Sequence, residues 1–132
     1  MKGRETMSNL LYSKDHEWVL SLEGNRVRIG ISDYAQNSLG DIVFVENPAE
    51  GDDVAASETM GSIESVKAVS DLISPVSGSV VLVNEELEDS PQLINEKPYE
   101  AWLIEVELSN PEELKSLLKE DEYQAFISEG EE

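Results

Sequence analysis

The chain has 132 residues, 39 % of them hydrophobic, and carries 29 acidic residues against 9 basic ones for a formal net charge of −20. That length fits one domain with a modest core, and that charge argues against nucleic acid and anionic membrane surfaces while favouring partners with basic docking patches. The absence of cysteine excludes disulfides, CxxC redox motifs, cysteine nucleophiles and thiolate metal sites, and a single histidine, His16, excludes a multi-histidine metal site.

Residues 1–9 include Lys2 and Arg4 but no apolar core, so they do not read as a secretory signal. Glu5 and the shortness of the stretch also argue against a transit peptide. A disordered end and a cytoplasmic monomer are expected. Leu20-Ser21-Leu22, the turn Glu23-Gly24-Asn25 and the alternating Arg26–Ile31 read as a hairpin. A short helix follows near 32–39, capped by Ser32, with Asp33 in its first turn and Gly40 to end it. From Asp41 to about Ile94 the pattern is short strands broken by Gly, Pro and Asn, with Ile42–Val45 and Val80–Val83 as buried strands. Trp102–Leu108 is the last strand. Asn110, Pro111 and Glu113 then predict a capped helix with Leu114, Leu117 and Leu118 on one face. A second short helix starts at Asp121 with Tyr123, Phe126 and Ile127 on its apolar side, and an acidic disordered tail covers 128–132. The fold class is mainly β, a β-rich α+β arrangement: a domain over 10–127 with a core hairpin at 41–94 and a helical cover at 110–127.

An internal repeat occupies the middle of the chain. Val45–Met60 aligned with Leu72–Leu87 brings Pro48 onto Pro75, Gly51 onto Gly78, Val54 onto Val81 and Glu58 onto Glu85. Each copy reads as strand, turn and strand, with Gly51 and Gly78 giving the turns their backbone freedom. Shared turn chemistry alone can also produce such coincidences. Neither copy can bury its own apolar face, so the two are expected to pack as a small sandwich. The segment between them centres on Val66-Lys67. With Ile63 and Val69 in the flanking strands, Lys67 projects from an exposed hairpin tip, where another enzyme can reach it.

These features resemble the biotinyl/lipoyl-carrier family, whose modified lysine lies at a hairpin tip between two quasi-symmetric halves. Gly51 and Gly78 stand sixteen residues before and eleven after Lys67, as in that family. The neighbours Val66 and Ala68 differ from the methionines of biotin carriers and from the aspartate of dehydrogenase lipoyl domains. Glu64-Ser65-Val66-Lys67-Ala68-Val69-Ser70-Asp71 is instead similar to the glycine cleavage H-protein branch. So are His16-Glu17-Trp18, Gly30–Gln36, Leu39–Val45, Pro75–Gly78, Asn95–Trp102 and Asn110–Leu114. Residues 97–102 depart from it, lacking the usual glycines before Trp102 and running one residue short.

The resemblance implies a barrel-sandwich hybrid with lipoic acid amide-linked to Lys67, a non-catalytic carrier in glycine catabolism. Its partners would be a pyridoxal-phosphate glycine decarboxylase, a tetrahydrofolate aminomethyltransferase, dihydrolipoyl dehydrogenase and a lipoylating ligase or transferase. The arm would take an aminomethyl group from the first to the second and be reoxidised by the third. It also implies arm docking at Glu17, Asp71, Asp15 and Ser38, since a cationic load suits carboxylate anchors. Without it, Glu17 and Asp71 are two acids in an acidic chain. Glu64 serves recognition by the lipoylating enzyme or is an exposed strand acid. Ser65 and Ala68 matter by being small. His16, a lone histidine beside two acids, has a catalytic reading, yet equally fits a histidine held by a hydrogen bond beside Trp18, and Trp18 and Trp102 fit core packing. A second function, donating lipoyl or octanoyl groups to other carriers, would use the same hairpin.

Overall fold

The Glu23–Asn25 turn joins β2 (Glu17–Ser21) to β3 (Arg26–Ile31), and Gly24 takes the left-handed φ of +68° that the turn requires. The structure is a computed structural model and describes residues 10–130. The expected disordered end 1–9 and the last two residues of the expected tail lie outside the described residues. The other elements are β1 (Leu11–Tyr12), α1 (Asp33–Leu39), β4 (Ile42–Glu46), β5 (Asp53–Val54), β6 (Thr59–Ser65), β7 (Val69–Ile73) and β8 (Gly78–Val83). They continue with α2 (Glu86–Asp89), α3 (Leu93–Glu96), β9 (Ile104–Leu108), a 3-10 helix (Pro111–Ser116) and α4 (Glu120–Gly130).

The strands form two antiparallel sheets, in the orders β1-β2-β3-β9-β8-β5 and β4-β6-β7. A single apolar cluster joins them, with Ile29, Val80, Ile104 and Val106 from the larger sheet and Ile42, Val45, Ile63 and Leu72 from the smaller. The repeat predicts a sandwich of its two copies, and the larger sheet also takes β1, β2, β3 and β9 from outside the repeat. The two copies also meet: Gly51 N donates to Val80 O, Val80 N donates to Asp52 O, and Val54 pairs with Gly78, which sets the first copy's turn and β5 against β8 of the second. The repeat breaks at its end. Met60 lies in β6, whereas its counterpart Leu87 is buried in α2.

A second cluster, built on Leu10, Tyr12, Trp18 and Tyr123, lies under α4. Tyr12 and Tyr123 stack at 4.2 Å between ring centroids. Trp18 crosses Gly30 of β3, where any side chain would collide with the indole, and its Nε1 donates to Pro98 O at 3.0 Å. Trp102 is only half-buried and lies under the Arg28 guanidinium, 4.6 Å from its carbon to the ring.

Several expectations are corrected. Ile42–Val45 is a strand but not a buried one, because a bulge inserts Val43 between the paired Ile42 and Phe44 and leaves Val43 and Phe44 exposed. In Val80–Val83 only Val80 is buried, since the other side of β8 faces outward. Gly78 is not a turn residue. It opens β8, where β9 passes so close that a Cβ would press on Glu107 O. Gly51 does take a left-handed φ of +93°. Residues 86–89 and 93–96 coil into helical turns instead of strands, burying Leu87 and Ile94. The last strand begins at Ile104, two residues later than expected. Asn110 makes no side-chain cap, and Glu113 does not turn back to it. The Glu113 carboxylate instead accepts from Ser77 N and Ser77 Oγ at 2.7 and 2.9 Å, pinning the 3-10 helix to the β7–β8 turn. Leu118 falls beyond that helix and packs in the second cluster. The tail is not wholly irregular, because α4 runs to Gly130.

Candidate functional site

The β6–β7 register pairs Ser62 with Asp71, Ile63 with Ser70 and Glu64 with Val69, which centres the hairpin on Val66-Lys67. Lys67 is exposed at its tip. Two-residue hairpin turns usually need a left-handed φ to match strand twist. Neither Val66 nor Lys67 has one. Bonds from outside the ladder hold the turn instead. Val66 N donates to Asp41 O at 2.9 Å. Lys67 N and Ala68 N both donate to Ser65 Oγ, at 3.2 and 3.1 Å, and that hydroxyl donates to Ala68 O at 3.3 Å. Ser65 is buried, so its part is to organise the backbone of the turn and not only to be small.

The lysine stem lies across the α1–β4 turn. Gly40 ends α1 with φ +81°, and a Cβ built there would stand 3.2 Å from Lys67 Cε and 3.8 Å from Nζ. A side chain at this position would take the space of the stem. Asn95 fixes this seat: its amide donates to Gly40 O at 2.8 Å and Gln36 Oε1 at 2.9 Å, and its carbonyl accepts from Ile42 N at 2.9 Å. Among the described residues no ion pair joins Lys67 to a carboxylate; the basic residues that do form pairs are Arg26, Arg28 and Lys115. A solvent-facing amine on an apolar stem, seated on backbone and held by no acid, fits an amide-linked acyl group. Acylation removes a charge that no carboxylate pairs with here.

The expected docking residues are spread over the surrounding surface. Glu17 begins β2 and is only 2 % exposed. Its carboxyl accepts from Ser13 Oγ at 2.6 Å and from Ile73 N at 3.3 Å, tying the larger sheet to β7. Burial pushes this carboxyl up to about 8, against the opposing pull of the Ser13 hydroxyl. Asp71 is exposed on β7, two residues from Ile73, opposite Ser62. Asp15 is exposed on the β1–β2 turn and lines a cavity of about 300 Å³ with Ser13, Ser57, Ser74 and Glu113. Ser38 is exposed on α1, two residues before Gly40, and Glu64 is exposed on β6. The hydrogen bond to Ile73 therefore brings Glu17 against the strand that carries Asp71, and Asp15 shares the Ser13 hydroxyl with the Glu17 backbone.

The β1–β2 turn is knit by Ser13. Asp15 N and Glu17 N donate to its Oγ at 3.2 and 3.1 Å, and His16 takes a left-handed φ of 73°. His16 Nδ1 is 2.8 Å from Tyr123 OH, and the ring lies among Tyr34, Tyr123 and Phe126. Burial lowers its pKa. It is thus held by a hydrogen bond, as one of its two readings has it, but against α4 aromatics and not beside Trp18.

Sequence reasoning missed Gly40 as the seat, Asp41 and Asn95 as its supports, and Ser13. Gly40 carried a signal, since a helix-ending glycine marks a turn, but what lies over it is a tertiary fact. Asn95 carried only its place in a family-like stretch.

The chain matches the family model described as "Glycine cleavage H-protein" over residues 10–130. It is 58 % identical over 123 residues to a glycine cleavage system H protein of Halalkalibacterium halodurans, covering 92 % of this chain and 95 % of that one. It is 58 % identical over 121 residues to that of Staphylococcus carnosus, covering 91 % and 95 %. The crystal structure of a glycine cleavage system H protein from Mycobacterium marinum superposes with a TM-score of 0.84 at 38 % identity, covering 92 % of this chain and 98 % of that one. The architecture is accordingly the barrel-sandwich hybrid that the sequence led us to expect. Among the described residues no helix is long and apolar enough to cross a membrane.

Proposed function

The chain belongs to the glycine cleavage H-protein family, a lipoyl carrier of the glycine cleavage system, and from this we propose that Lys67 is the residue that bears its lipoyl group. When bound, that group supplies a dithiolane that cycles between disulfide and dithiol and ferries the aminomethyl carbon between enzymes. The observation that carries the assignment is the seat itself: an exposed lysine on a braced hairpin tip, its stem over a glycine. Ser65 and Asp41 hold the turn so that the Nζ is presented from one backbone conformation. Glu64, three residues earlier on β6, offers a charge to the enzyme that modifies Lys67. Asp71, Asp15 and Ser38, all exposed, are proposed to receive the arm at rest on the carrier domain over 10–127, and the buried Glu17 to support Asp71 from beneath by holding β7 at Ile73 N.

We read the chain as doing no catalysis of its own, because the family it belongs to is the carrier component of the glycine cleavage system. Its partners are the glycine decarboxylase, the aminomethyltransferase, dihydrolipoyl dehydrogenase and a lipoylating ligase or transferase. Its relatives being bacterial, it would meet them as a monomer in the cytoplasm. The test is intact mass after incubation with lipoate, ATP and a lipoate ligase. The wild type should gain one lipoyl group and Lys67→Arg none. A wild type that stays unmodified, or a Lys67→Arg variant that is modified as before, sinks the assignment.

A further inference from the structure

The outer face of the three-stranded sheet is uneven. Phe44, Glu64 and Val69 pair across β4, β6 and β7, so they form one row on one side. The next residue of each strand, Val45, Ile63 and Ser70, turns to the core side, where Val45 and Ile63 are buried. Phe44 and Val69 are therefore aimed at solvent, 52 % and 67 % exposed. The bulge adds Val43 at 49 %, and the turn adds Val66 at 67 %. Among the described residues the one other exposed large hydrophobic is Leu82 on β8, at 42 %. Four of the five thus sit in or beside the hairpin that presents Lys67. The row behind them is polar and acidic: Glu46, Ser62 and Asp71, again in register.

An apolar patch with an acidic border marks a contact surface. A second copy is a poor occupant, since each chain has a net charge of −20 and Glu64 would face an acid across the centre of the contact. Reach selects among the enzymes. Those that work on a loaded arm meet its far end, well beyond the turn. The enzyme that forms the amide must bring its acyl donor to Nζ, four methylenes from the backbone, so it must cover the residues around the turn.

We propose that Phe44, Val69 and Val66, with Glu64 between them, form the docking surface for the acyltransferring enzyme that modifies Lys67. That enzyme presents an apolar face bordered by Lys or Arg to the Glu46/Asp71 side. In the step it serves, Lys67 Nζ attacks the acyl carbon of lipoyl adenylate. The amide bond forms, the acyl–phosphate bond breaks, AMP leaves and the amine gives up a proton. This inference rests on the assignment of Lys67.

The experiment uses the full chain with a lipoate ligase, lipoate and ATP, and follows lipoylation by intact mass. Phe44→Ser with Val69→Ser should raise KM for the carrier at least tenfold while leaving kcat within twofold. Leu82→Ser should leave both unchanged. Unmodifiable Lys67→Arg should inhibit lipoylation of the wild type, and the same variant carrying the two serines should not. Thermal unfolding should be the same for all, because the mutated side chains face solvent. An unchanged KM, equal inhibition by both competitors, or a wild-type dimer that the serines dissociate overturns the docking surface. A wild type that gains no mass at Lys67 overturns the carrier assignment instead, so the two failures are told apart.

Discussion

Two turns in this molecule are built on the same device and present opposite results. In the β1–β2 turn Ser13 Oγ accepts from two backbone amides, Asp15 N and Glu17 N; in the β6–β7 turn Ser65 Oγ accepts from Lys67 N and Ala68 N. Both serines are buried. They differ in where the hydroxyl proton goes. Ser13 gives it to the Glu17 carboxyl, and that side chain is sealed inside. Ser65 gives it to the backbone at Ala68 O, and the Lys67 side chain stays outside. A serine that bonds only to the backbone makes a rigid pedestal. One that also grips the functional side chain makes a clamp.

The sharpest break of this comparison is in pH. Glu17 is held up to about 8 from an ordinary 4.5 by burial. The folded protein therefore keeps a proton that the unfolded chain loses, and stability falls as pH rises from about 4.5 to about 8. The slope approaches that of one proton, about 1.4 kcal/mol per pH unit. Urea unfolding of the wild type at several pH values should show this extra slope against Glu17→Gln. Parallel curves would mean that the clamp does not hold a neutral acid. A smaller effect is expected for Ser13→Ala, which strips a donor from the buried carboxyl and an acceptor from two amides. It should cost about 1–3 kcal/mol of stability in the same assay and move the Glu17 titration further up. An unchanged midpoint would make the clamp ornamental. The smallest is Ser65→Ala, about 0.5–1 kcal/mol, because water can reach the exposed turn. Its mark is local: amide exchange at Lys67 and Ala68 should accelerate while the core strands keep their protection. Unaltered exchange there would show that Asp41 alone holds the pedestal.

What could be read ahead of the structure follows from how local each interaction is. Ser32 and Gly40 bound α1 as expected, because a cap bonds within its own turn: Ala35 N to Ser32 Oγ at 3.2 Å, Gly40 N to Gln36 O at 3.0 Å. The hairpin centre at Val66-Lys67 was legible from the repeat. Glu113 was not, since its bonds go to Ser77, 36 residues away. The exposure of Phe44 was equally hidden. A single bulged residue flips the strand's facing, and the run Ile42–Val45 looks the same with or without it. Of the site, the lysine was visible and its support was not. Asn95 reaches Gly40, Gln36 and Ile42 across more than fifty positions of chain, and the family-like stretch it opens does not say so.

Gly40 has a consequence for any tethered cargo. A lysine stem that rests on a glycine loses part of its torsional freedom before anything is attached to it. The free tether then begins near Cε, 3.2 Å from where a Cβ at Gly40 would stand, and not at Cα. Its far end samples a smaller volume around the Gly40 seat. For a partner seated there, the local concentration of cargo rises without a tighter bond. A bulkier residue at 40 would lengthen the leash and dilute what it carries.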